Sequence, residues 1–218
     1  MLTLSFSRFG DGIYISHTDV LRALNRTLRR AGIDVNYSKG YNKHMALNLT
    51  QPLPLGVASQ DEWVTADLAT DMTKEEFLQK FKENCPPFLS PNCVFETEKS
   101  PNLAGKVIAS EYVITCENAE KYKSEIEKLK DGFVYSIEKQ GKLMTKDATG
   151  YIYELRVEDG KIIAVFCYGN KNLRADHFVK YLFDTFGLTI PLTNVVRTRQ
   201  LVEFDGKLVS AKEYMERL

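Results

Sequence analysis

Hydrophobic residues recur at helical spacing in four stretches of the chain and alternate with polar ones in most of the others. From Thr18 to Ala31, Val20, Leu21, Leu24, Leu28 and Ala31 fall on one side of a predicted helix. Ser16 and Asp19 stand at capping-box spacing before it, and Gly32 suits the position just past its end. TKEEFLQKFKENC predicts a second helix, capped by Thr73 and stopped by Pro86-Pro87. AEKYKSEIEKLKDG predicts a third, ending at Gly132, and LRADHFVKYLFDTFG a fourth, capped by Asn172. Between them LTLSFSRFG and GIYIS predict a first strand or hairpin. IDVNYS, MALNLT, EWVTADL, VFETEK, EYVITCE and FVYSIEKQ alternate as strands. YIYELRVEDGKIIAVFCYG and VVRTRQLVEFDGKLV each predict a hairpin, turning at Asp159-Gly160 and Asp205-Gly206.

The order of these elements reads βαββαβ twice, an α+β fold of two ferredoxin-like units with antiparallel sheets backed by helices. The expected division is 1–98 and 110–218, with KSPNLAGKVIA (99–109) as linker. The repeat is one of pattern, not of residues, and one larger α+β sheet fits the same pattern.

Composition adds bounds. The chain of 218 residues is 44% hydrophobic and 27% charged, an ordinary globular balance. The first residues, MLTLSFSRFGDG, turn polar too soon for a signal peptide, and no apolar run approaches the ~20 residues of a membrane span. The expected setting is the cytoplasm. Cys85, Cys93, Cys116 and Cys167 are widely spaced without a CxxC pair, which reads as reduced thiols rather than a metal or iron–sulfur site. No cofactor and no metal are expected.

Formal net charge is zero, which alone argues against nucleic acid. The distribution changes that picture. Residues 1–56 hold seven Lys/Arg against three Asp/Glu, whereas residues 57–98 hold three against nine. Arg22, Arg26, Arg29 and Arg30 of the first helix fall within an arc of about 100°, opposite its apolar side. Guanidinium forks bind phosphate oxygens bidentately and stay charged. Like charges at this spacing repel, and either scattered acids such as Asp19 or an anionic partner relieves them.

The following loop, Ser38-Lys39-Gly40-Tyr41-Asn42-Lys43-His44, interleaves cations with an aromatic, as RNA recognition does. Tyr41 suits stacking, Asn42 an edge hydrogen bond, and Lys43 a phosphate. The plainer reading is a polar loop with Tyr41 packed on the sheet. His17 and His44 are the nearby groups for proton transfer near neutral pH, or make local hydrogen bonds. With Asp19 they are candidate ligand contacts, but lack the i,i+4 spacing of a zinc pair. His177 lies in an apolar helix and reads as structural. Arg197 and Arg199 alternate on the last strand and extend the basic surface. PLPLGV (52–57) reads as a rigid apolar turn and Trp63 as core. No P-loop, GxGxxG fingerprint or nucleophile elbow is present.

Ser16-His17-x-Asp19-x-x-Arg22-x-x-x-Arg26-x-x-Arg29-Arg30-Ala31-Gly32, then Ser38-x-Gly40-Tyr41-Asn42-x-His44, then Pro52-Leu53-Pro54-Leu55-Gly56-Val57, resembles the uncharacterised radical-SAM-linked bacterial family. The family's domain of unknown function occurs alone or fused behind a radical-SAM module. The resemblance runs along the whole chain, most specifically in its first 60 residues, with Arg197-Thr198 a weaker late match. The family's loop usually reads Gly-Phe-Asn-Pro-His-Pro. Here Tyr41, Lys43 and Met45 replace Phe and both prolines, while Asn42 and His44 remain. The resemblance implies bacterial cytoplasm, a link to RNA, tRNA or ribosome metabolism, and a radical-SAM protein as partner. The CxxxCxxC of a radical-SAM cluster is absent, so the chain is expected to lack that catalytic activity itself.

Three functions fit. The first is an accessory protein binding RNA or a nucleotide through Arg22, Arg26, Arg29, Arg30 and Lys43, with His17, Asp19, Tyr41, Asn42 and His44 as further contacts. About four phosphates on single-stranded RNA give a log–log salt slope of about −3. The second is a module docking on a radical-SAM enzyme without RNA. The third is a His-dependent RNA-processing or modifying enzyme.

Overall fold

The computed structural model describes residues 1–169 and 171–218, a mixed α/β fold. Contacts group residues 1–107 with 202–218 as one unit and 108–201 as another.

In the first unit, β1 (Leu2–Arg8) leads through a 3-10 turn (Gly10–Tyr14) into α1 (His17–Arg30). Then come β2 (Leu47–Leu49), β3 (Ala58–Ala66), α2 (Lys74–Asn84), β4 (Leu89–Glu96) and α3 (Leu103–Lys106). The strands lie in the order β4-β1-β3 with β2 on β3, and these pairings are antiparallel. Alternation sorts the side chains. Leu2, Leu4 and Phe6 of β1 join Val64 and Ala66 of β3 on one face, where Val20, Leu24 and Leu28 of α1 and Phe77 and Phe81 of α2 cover them. The opposite face carries Trp63, packed with Leu103, Val107, Val202, Tyr214 and Met215.

The second unit runs β5 (Val107–Thr115), α4 (Lys123–Lys128), β6 (Val134–Lys139), β7 (Lys142–Asp147), β8 (Ile152–Glu158), β9 (Lys161–Cys167), α5 (Ala175–Phe186) and β10 (Val195–Phe204). β5 pairs β9 and β9 pairs β8, both antiparallel; β6 and β7 pair only with each other. β10 ends in the first unit, followed by β11 (Lys207–Ser210) and α6 (Ala211–Glu216). Among the described residues nine strands stand in one hydrogen-bonded sheet, β4-β1-β3-β10-β5-β9-β8 with β11 on β10 and β2 on β3.

Several local expectations change. GIYIS is a 3-10 turn, not a strand, and Phe88 packs so tightly on it that a Cβ at Gly12 would lie 2.9 Å from the Phe88 ring. IDVNYS makes only isolated bridges, Val35 to Leu68 and Tyr37 to Met45. The helix expected over 119–132 is broken into 3-10, α and 3-10 pieces. FVYSIEKQ leaves the large sheet for the β6–β7 hairpin, which turns at Gln140-Gly141. Residues 99–109 carry α3 and the start of β5, with Leu103, Val107 and Ala109 buried, because apolar side chains at those positions complete cores rather than face solvent. Residues 202–218 group with the first unit, since Val202, Ala211, Tyr214 and Met215 fill its second face. α5 starts after Arg174 with no side-chain cap, so Asn172 is not its N-cap.

Candidate functional site: an arginine-lined cleft in the first unit

Helix α1 is held at both ends by local chemistry. The Asp19 N–H donates to Ser16 Oγ at 3.2 Å, and the Ser16 hydroxyl donates to Asp19 Oδ2 at 2.7 Å. Gly32 takes φ +64° just past the last turn, a conformation that a side chain disfavours. Arg29 and Arg30 in the last turn suit the negative end of the helix dipole. With Val20, Leu24 and Leu28 buried, the helix is fixed in rotation and its basic side faces out.

That side forms one wall of a cleft of about 620 Å³. Asp19, Arg22, Ala23, Arg26 and Arg30 follow one another along the helix; Tyr14, Ile15, Pro86 and Phe88 complete the lining. Arg22 Nη1 donates to Asp19 Oδ1 at 2.7 Å, an ion pair open to solvent. The Ser16 hydroxyl, and after it the Arg22 guanidinium, hold the Asp19 carboxyl below the usual range. Arg30 Nη2 donates to the Asn84 carbonyl at 2.5 Å, at the C-terminus of α2. Arg26 lies between them in sequence and, among the described residues, makes no hydrogen bond or ion pair; its charge is felt by Asp19. Asp19 is the single carboxylate in this lining.

Arg29 leaves the group. Its Nη2 donates to the Tyr37 hydroxyl at 3.3 Å, at the base of the 38–44 loop. That loop is closed by Ser38 N–H to the His44 carbonyl at 2.8 Å and His44 N–H to Ser38 Oγ at 3.2 Å. His44 Nδ1 lies 3.0 Å from Ser38 Oγ and 3.3 Å from the Asn42 carbonyl oxygen. Lys39, Tyr41, Asn42 and Lys43 are exposed, Tyr41 fully so, which removes the lid role on the sheet. His17 is half-buried at the first position of α1. Neither histidine lines the cleft, nor do Tyr41, Asn42 and Lys43. The structure thus gathers Asp19, Arg22, Arg26 and Arg30, and leaves the loop residues as a separate group reached through Arg29.

Arg197 and Arg199 do not extend the basic surface. Arg197 is 1% exposed. Arg199 Nε donates to Glu111 Oε1 at 3.0 Å, and Thr198 Oγ1 donates to the same oxygen at 2.6 Å. Burial pushes the Glu111 carboxyl up, but these bonds outweigh it and leave the group below the usual range. Among the described residues no three His, Cys, Asp or Glu side chains gather as metal ligands, and no helix is long and apolar enough to cross a membrane. The four cysteines are free, and burial pushes each thiol up, which disfavours the thiolate.

The apolar part of the lining escaped the sequence. Tyr14 and Phe88 are 74 positions apart, and neither carries a motif. The one local signal is Gly12: a residue with no side chain where another aromatic element must approach closely.

Fold and site define a mixed α/β protein with a cleft lined by three guanidinium groups and by apolar and aromatic side chains. Residues 2–175 match the family described as an uncharacterized protein conserved in bacteria (DUF2344), and the chain belongs to that family. No curated protein matches the sequence.

Proposed function

We propose that the chain is an accessory protein that binds RNA or another phosphate-containing ligand against Arg22, Arg26 and Arg30. Arg26 carries the reading. It has no hydrogen-bonded or ion-paired partner among the described residues, in a lining where three guanidinium groups meet one carboxylate. Guanidinium groups stay charged at any relevant pH, so the excess is permanent. Arg30 is anchored on a carbonyl, which pre-sets one fork without neutralising it. Arg29, Lys43, Tyr41, Asn42 and His44 form a second contact region for a longer ligand, and His17 is a supporting contact.

Each unit reads as ferredoxin-like. The order β4-β1-β3-β2 in the first and β10-β5-β9-β8 in the second supports this, with the β6–β7 hairpin inserted in the latter. The family resemblance supports a setting in the bacterial cytoplasm, a link to RNA metabolism and a radical-SAM enzyme as partner, with this chain presenting the ligand.

Titration of the purified protein with fluorescent single-stranded RNA at rising salt tests the proposal. Three phosphates held at the cleft give a log–log slope of about −2. Arg26→Glu is expected to weaken binding at least about tenfold, since it replaces attraction by repulsion. Affinity that is absent at low salt, or flat with salt, overturns the proposal; co-purification with a radical-SAM enzyme lost in Arg26→Glu while RNA binding stays undetectable would move the arginine wall to protein docking.

A further inference from the structure

The apolar and aromatic residues that share the cleft with the arginines narrow the ligand. Tyr14 is 64% exposed, and Phe88 and Ile15 line the same cleft. The backbone that carries the ring is held locally. Tyr14 closes a 3-10 turn whose Gly12 is pressed on the Phe88 ring, and the Phe9 N–H donates to the Phe88 carbonyl at 3.3 Å. A site built only for phosphate needs no ring. A site built only for an apolar ligand does not include three guanidinium groups. The two together match the two halves of a nucleotide, an aromatic face and an anionic tail.

Dimensions point the same way. Arg22 to Arg30 spans eight residues, or about 12 Å of helix, longer than a single phosphate group requires. The volume of about 620 Å³ lies in the range of pockets that enclose one small ligand. In a duplex the base faces are stacked on one another and unavailable to a side chain, whereas an unpaired base lies free to stack on tyrosine.

Resting on the phosphate-binding reading above, we propose that the cleft selects single-stranded nucleic acid, stacking one unpaired base on Tyr14 while successive phosphates lie along Arg22, Arg26 and Arg30. Tyr14 then supplies the discrimination against duplex and against bare polyphosphate, and the arginines supply the strength.

The test uses the full chain and three probes: an eight-nucleotide single-stranded RNA of mixed sequence, the same sequence as a blunt duplex, and inorganic pyrophosphate as competitor. Fluorescence anisotropy is expected to show the single strand bound at least tenfold more tightly than the duplex, and pyrophosphate displacing it poorly. Tyr14→Ala is expected to lose about tenfold for the single strand and nothing for the duplex, with Tyr14→Phe retaining the preference because the ring remains. Tyr14 is on the surface, so both variants are expected to fold, and unchanged circular dichroism checks this. Equal affinity for single strand and duplex, unaffected by Tyr14→Ala but lost in Arg26→Glu, overturns the stacking role and leaves the phosphate-binding reading standing. Loss of neither probe in Arg26→Glu, or no binding of any probe, overturns both.

Discussion

On α1, Arg22, Arg26 and Arg30 line a cleft whose lining has one carboxylate. On β10, Arg197 and Arg199 stand two residues apart, the spacing that places side chains on one face of a strand. From the sequence both look like basic surfaces. The fold gives them opposite fates. Arg197 is buried, and Arg199 is bound by Glu111, a carboxylate 88 positions away on the neighbouring strand β5. Among the described residues the one carboxylate paired with the α1 group is Asp19, which lies on its own first turn. Spacing decides which side chains share a face. Whether their charge is available depends on which distant strand brings an acid, and β-sheets make such long-range pairings where a solvent-facing helix does not.

The contrast breaks most sharply on stability. Arg197→Ala is expected to lose about 3 kcal/mol or more, because removing a buried charged side chain leaves a cavity and its former partners unsatisfied. Arg26→Ala is expected to stay within about 0.5 kcal/mol of the parent, as an exposed residue without partners does. Urea denaturation of the two variants decides it; similar losses would dissolve the distinction between a structural and an available arginine.

Acid stability sharpens it next. Glu111 titrates below its ordinary value of 4.5 in the folded chain. Its bonds to Arg199 and Thr198 therefore contribute stability above that ordinary value, and the contribution fades as pH falls through the lower, folded value. Glu111→Gln is expected to lose about 1–2 kcal/mol near neutrality, a figure kept small because Arg199 is more than half exposed. The same variant is expected to flatten the decline in stability below pH 4.5. Thermal unfolding of both proteins between neutral and acid pH reads both effects.

The smallest effect concerns the cleft's own acid. Asp19→Asn keeps a side chain that Ser16 can contact but releases Arg22 from its ion pair. Affinity for single-stranded RNA is expected to rise about twofold, the scale of one exposed i,i+3 pair. A fall instead would make Asp19 a ligand contact rather than an internal counter-charge.

What the sequence disclosed follows the same line. Features closed within a few residues were legible: the Ser16 and Thr73 caps, Gly32, and the Asp159-Gly160 and Asp205-Gly206 turns, whose residues take φ between +50° and +73°. The Gln140-Gly141 turn has the same left-handed geometry, yet Gln is not a residue that announces it. Helix α6 is too short for a periodic signal, although Ser210 accepts from the Glu213 N–H at 3.1 Å, a capping spacing visible in the chain. The direction of the α1 arginines was legible from periodicity; the departure of Arg29 toward Tyr37 was not, because it depends on how the 38–44 loop returns. The aromatic part of the lining required tertiary structure outright.

The face of the first unit that carries Trp63 is finished by Val202, Ala211, Tyr214 and Met215, more than ninety positions after residue 107. At a ribosomal pace of about 5–20 residues per second, that indole stays only partly covered for roughly 5–20 s while the intervening segment is made. Newborn chains therefore pass through an interval with a greasy flank on display, during which chaperones have their opening and premature release has its penalty.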